Sequence, residues 1–109
     1  VYVGKLSEKG DYRYHLGEAL YRSGKRKEGK RAMLEGLREI RKGAHEWSSF
    51  YIHVWESGVH QRLAELLSKD EPEEARKHYE ESKRIAEADS KLVIRRKQIA
   101  ELGRQLGFD

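Results

Sequence analysis

The chain has 109 residues, 39% of them charged and 37% hydrophobic, with a net charge of +4. That length supports one modest core, and the absence of Cys excludes disulfides, Cys-based zinc sites and thiol catalysis. Asn and Thr are also absent, so there is no N-glycosylation acceptor, and no apolar run reaches the ~18 residues of a membrane span.

Residues 1–9 read as a tail or the end of a preceding element, and residues 10–109 as a single helical domain. Asp11 is placed to cap a first helix that runs to about Ser23. Its expected apolar stripe is Tyr12, Leu16, Ala19 and Leu20, at three- and four-residue steps. Ser23-Gly24 is a stop and turn. A second helix, about Arg26 to Lys42, carries Gly29, Met33, Gly36, Leu37 and Ile40 on one face, and Gly43 ends it. A glycine inside a helix costs ~1 kcal/mol relative to Ala. Two of them on one face, seven residues apart, predict that a neighbouring helix comes close there.

The third helix, about Glu46 to Lys69, presents Trp47, Phe50, Tyr51, Val54, Trp55, Val59, Leu63, Leu66 and Leu67, with Gly58 as the expected site of a kink. Asp70-Glu71-Pro72-Glu73 restarts the chain, with Asp70 or Glu71 as cap and Pro72 in the first turn. The fourth helix, about Pro72 to Ala88, carries Ala75, Tyr79, Ser82, Ile85 and Ala86. Asp89-Ser90 is read as the cap of a fifth, about Lys91 to Leu106, with Leu92, Ile99, Leu102 and Leu106 on one side. Five helices joined by short turns define an all-α bundle or short solenoid of antiparallel hairpins.

Charge is unevenly spread. Residues 1–54 carry 12 basic and 7 acidic side chains, and residues 55–109 carry 11 and 12. A basic patch runs Arg22, Lys25, Arg26, Lys27, Lys30 and Arg31, and a second set is Lys91, Arg95, Arg96 and Lys97. These sets read either as the solvated faces of a charge-rich helical protein or as contacts for an anionic partner such as nucleic acid. The excess of Glu, Lys and Arg over amide and thiol residues is thermophile-like. A cytoplasmic location is expected.

Leu16-Gly17, Leu20, Gly24, Gly29, Met33 and Gly36 together resemble one tetratricopeptide repeat. Gly17 to Gly29 is twelve residues and Gly29 to Gly36 seven, with Met33 as the large residue between them. Leu63-Ala64, Leu67, Ala75, Tyr79 and Ser82 form a weaker copy, whose turn is one residue shorter. Leu102-Gly103 resembles the opening of a third unit and is expected to act as a cap. The resemblance spans about Gly10 to Leu106. It implies a short solenoid of two hairpins that binds a peptide or helix of a partner protein on the first helix of each hairpin. By that resemblance the binding positions are Tyr14, Glu18, Tyr21 and Arg22 in the first unit, and Gln61, Glu65 and Lys69 in the second.

His53, Glu56 and His60 share one helical face at i, i+3 and i+7, a spacing that metal-binding helices use. His15, His45 and His78 are the other histidines available to such a site. No second Glu-x-x-His pair exists to match a di-metal site, and the face lies opposite the apolar stripe, so it is read as solvated, with no metal and no cofactor expected. No nucleophile motif or phosphate-cradling glycine loop occurs. The expectation is therefore a non-enzymatic interaction module, with a nucleic-acid-associated basic helical domain as the alternative. The cluster Trp47, Phe50, Tyr51 and Trp55 exceeds what one neighbouring helix covers, so a homodimer through it is expected as well.

Overall fold

The computed structural model describes residues 6–44 and 47–108. Over them the chain is all-α: α1 (Leu6–Arg22), α2 (Arg26–Lys42), α3 (Ser49–Leu67), α4 (Pro72–Ala88) and α5 (Val93–Leu106). They form two compact units, residues 1–52 and 53–109. The expected tail lies partly outside the described residues, as do His45 and Glu46. The rest of that tail is helical, because α1 begins at Leu6 and not at Asp11.

In the first unit α1 and α2 meet backbone to backbone through glycine. A methyl built on Gly17 would lie 2.6 Å from the carbonyl oxygen of Gly29, and one on Gly29 would lie 2.6 Å from that of Gly17. Gly36 stands in the same relation to Gly10, at 2.5 Å from its carbonyl oxygen. Each glycine is also set against a large residue of the other helix. Ile40 faces Gly10, Met33 faces Gly17, Tyr21 faces Gly29 and Tyr14 faces Gly36. Met33 and Ile40 are fully buried, and Tyr14 and Tyr21 nearly so. Both helices thus carry the same pattern: a glycine, a large residue four positions on, and a repeat after seven.

This arrangement corrects the expected stripe of α1. Tyr12 is 73% and Leu16 48% exposed, and Ala19 is exposed too. The buried face is Gly10, Tyr14, Gly17 and Tyr21, rotated well away from the expected one. Where glycines let two backbones touch, the residues beside them carry the packing, and a larger apolar side chain elsewhere on the helix is left outside. The α2 face of Gly29, Met33, Gly36, Leu37 and Ile40 is buried as expected.

The turn between them is a helix C-cap. Gly24 takes a φ of +105°, Lys25 N–H donates to the Leu20 carbonyl at 3.0 Å, and Gly24 N–H to that of Tyr21 at 3.2 Å. These two bonds satisfy carbonyls at the end of α1, and the left-handed residue reverses the chain.

In the second unit α3 and α4 form another hairpin. Ser57, Ala64, Ala75 and Ser82 are fully buried small residues, again spaced by seven on each helix. They follow Gly10, Gly17, Gly29 and Gly36 by 46 or 47 positions. Leu63, Leu67, Tyr79, Ile85 and Ala86 complete the core of this unit with Ile99 and Leu102 from α5. α4 starts with Pro72 at its first position, and Glu71, one of the two expected cap residues, is the N-cap, without a side-chain bond to the helix end. α5 starts at Val93 after Leu92, two residues later than expected. Asp89 acts before it, accepting the Lys91 N–H at 3.0 Å in a turn. At the far end Gly107 is left-handed, and Phe108 N–H donates to the Gly103 carbonyl. Phe108 then packs 5.5 Å from the Tyr79 ring, beneath Arg76.

Candidate binding surfaces

The expected partner-binding residues divide by what they touch. Tyr14 and Tyr21 are buried in the α1–α2 hairpin, so their rings serve the core of that unit. The Tyr14 hydroxyl donates to Glu18 at 3.0 Å, and the other Glu18 oxygen pairs with Arg22 at 3.2 Å. In the second unit Gln61 accepts from Arg95 at 3.1 Å, Glu65 pairs with Arg62 at 2.8 Å, and Lys69 is exposed. The outward apolar residues of α1 are instead Tyr12 and Leu16, one turn apart and followed by Ala19. Val93 and Ile94 form a similar exposed pair at the start of α5, at 48% and 73%.

Arg95 explains Gly58. α3 runs unbroken from Ser49 to Leu67, and Gly58 is the seat of the Arg95 guanidinium. A methyl at Gly58 would lie 3.2 Å from Nη2 of Arg95, which also donates to the Val54 carbonyl at 3.3 Å. Arg96 donates to the carbonyls of Ala86 and Asp89 at 2.9 and 2.8 Å, closing the end of α4. The second basic set is therefore half structural: Arg95 and Arg96 tie α5 to its neighbours, and only Lys91 and Lys97 are left exposed.

The histidine face does not converge. His53 donates through Nδ1 to Asp89 at 2.9 Å, the carboxylate having nothing to donate. That bond, followed by the Lys91 N–H, holds the Asp89 carboxyl below its ordinary value. His60 is buried rather than solvated, at 5% exposure, because its ring meets His78 of α4. Their Nδ1 atoms are 2.8 Å apart, so one donates and the other accepts, and Nε2 of His78 lies 3.4 Å from Glu74. Among the described residues no three His, Asp or Glu side chains are grouped to hold a metal ion.

A cleft of about 250 Å³ lies between α4 and α5. Tyr79, Ala86, Ile99 and Ala100 floor it, and Lys83, Glu87, Arg96 and Arg104 stand around it. Arg104 is paired with Glu101 and Arg96 with backbone carbonyls, so the cleft keeps little charge of its own.

On α2, Lys27, Arg31, Leu34 and Arg38 line a shallow depression with Lys30. Of the acidic residues of this helix, Glu28 is exposed in the first turn, and Glu35 and Glu39 both pair with Arg13 of α1. Of the expected basic patch, Arg22 is held by Glu18, whereas Lys25, Lys27 and Arg31 are exposed. Arg38 and Lys42 continue the line and fall outside the contiguous run at Arg22–Arg31. Their signal in the sequence is the spacing 27, 31, 38 and 42 on one face.

No helix among the described residues is long and apolar enough to cross a membrane. No family model matches the chain, and no curated protein or solved structure matches it either.

Proposed function

We propose that the chain is a protein-interaction module, and not an enzyme, that receives an apolar helix or peptide of a partner on the outer face of α1. One observation carries this reading: Tyr12 and Leu16 stand 73% and 48% exposed on the first helix of the first hairpin. Large apolar side chains grouped on one exposed helical face mark interaction surfaces, and aromatic anchors are favoured in interface cores. The resemblance to tetratricopeptide repeats supports the same role for this helix, through different residues from those expected by resemblance. A second copy of the chain is one partner of the right chemistry, with Tyr51 at 53% exposure beside Trp47 and Phe50 as the contact.

The test is capture from a native lysate by the wild type and by Tyr12→Ser/Leu16→Ser, followed by rebinding of purified candidates. A protein retained by the wild type, released by the variant and rebinding when pure supports the reading. Identical capture by both, with the variant fully folded, overturns it.

A further inference from the structure

We infer that the outer face of α2 binds the phosphate backbone of double-stranded nucleic acid. Lys27, Arg31 and Arg38 lie on one side of the 17-residue helix, and Lys42 extends the row at its C-terminal end. From Lys27 to Lys42 the row is about 22 Å long at ~1.5 Å per residue. All four are exposed, and none is in an ion pair with a described residue. Of the three acids on α2, Arg13 occupies Glu35 and Glu39, which leaves Glu28 of the first turn as the one exposed carboxylate beside the row.

The chemistry of the face selects among anionic partners. Its only apolar member is Leu34, half-buried between the cations. A protein partner needs a buried apolar or aromatic anchor at the centre of its interface. An amphipathic membrane contact needs bulky apolar residues to insert. A single strand is held largely by base stacking on aromatic rings, and this face has none. A duplex needs only a linear row of cations beside its phosphates, because backbone contacts supply affinity without reading sequence. The inferred binding is therefore sequence-independent. It uses a different helix from the α1 surface proposed for a protein partner, so the two readings fail separately.

The experiment is fluorescence anisotropy of the full chain with a labelled DNA duplex of about 20 base pairs, repeated with an RNA duplex of the same sequence, across about 50 to 200 mM salt. With four phosphates neutralised, the expected slope of log affinity against log salt is about −4, a loss of about 100-fold over that range. Lys27→Gln/Arg31→Gln/Arg38→Gln should reduce the slope to about −1 with an unchanged helical spectrum. Lys27→Arg/Arg31→Lys/Arg38→Lys should keep it. Should the first variant unfold, the comparison of this second variant with Lys42→Gln replaces it, the latter losing about one from the slope. Absence of wild-type binding to either duplex at the lowest salt overturns the inference. So does an undiminished slope in the glutamine variants, or equal competition by a polyglutamate peptide of the same charge.

Discussion

Gly17 and Gly29 each block a side chain on the other. An alanine at either would gain up to ~1 kcal/mol in helix propensity. It would also drive a methyl against a carbonyl oxygen and a backbone nitrogen that have no side-chain freedom to yield. The collision wins, because overpacking typically costs 1–3 kcal/mol and more when backbone must move. Gly17→Ala should therefore lower stability by about 2 kcal/mol in chemical denaturation. Gly58→Ala is the internal control. Its methyl meets only the tip of Arg95, which can shift, so the change should be near neutral. A stabilised Gly17→Ala would remove the account of the first hairpin. The Asp89 carboxylate offers a prediction in pH. Its value is lowered by His53 and then by the Lys91 N–H, so its contribution is present above the ordinary value of 3.8 and is lost as pH falls through the lowered one. Asp89→Asn should thus flatten the acid limb of a stability–pH curve below about pH 4. An acid limb identical to the wild type would show that the His53 bond does not contribute.

Amphipathic stripes were legible in the sequence where large apolar residues define the face. α2 and α4 bury the sets their periodicity predicts, because Met33, Ile40, Tyr79 and Ile85 dominate their helices, whereas α5 buries Ile99 and Leu102 but leaves Leu106 half-buried. α1 was misread for a physical reason. Its buried face alternates Gly10 and Gly17 with Tyr14 and Tyr21, and glycine counts as neutral in any hydropathy stripe, so Tyr12, Leu16 and Leu20 set the expected face. The clue available was the matched period: Gly10, Tyr14, Gly17 and Tyr21 repeat the spacing of Gly29, Met33, Gly36 and Ile40. The burial of His60 was not legible, because it depends on a ring of α4 eighteen residues away. Nor was the seat of the Arg95 guanidinium beside Gly58 of α3, a contact across 37 residues. For α1 the corrected face makes a prediction. Tyr12→Ser/Leu16→Ser should leave the melting temperature within a few degrees of the wild type, since exposed substitutions usually change stability by less than ~0.5 kcal/mol. A large drop would mean that these side chains support the fold.

Across the molecule both hairpins bury small residues at a seven-residue spacing, 46 or 47 positions apart, glycines in the first and Ser or Ala in the second. Self-association is the prediction that belongs here. If the exposed Tyr51 edge pairs with its symmetry mate, sedimentation velocity at micromolar concentration should show a dimer that Tyr51→Glu dissociates. A monomer at all concentrations would end that proposal.

Gly10 faces Gly36 and Gly17 faces Gly29, so the two helices are mirror-ordered about position 23, at the turn. With identical seats every seven positions, α1 could slide one heptad along α2 and still find a glycine opposite a glycine. The interface is degenerate, like a zip with equal teeth, and the three-residue turn is what chooses the tooth. Gly24 makes that turn by holding a φ of +105°, which a β-branched residue resists. Gly24→Val should therefore relieve its strain by straightening the connection, so that α1 of one molecule seats on α2 of another with every native contact intact, an exchange to which hinge-loop mutants are prone. Gel filtration of that variant should show an interlocked dimer that forms on refolding at high concentration and persists on dilution. Monomeric Gly24→Val with native stability would mean that the glycine seats, and not the turn, choose the tooth.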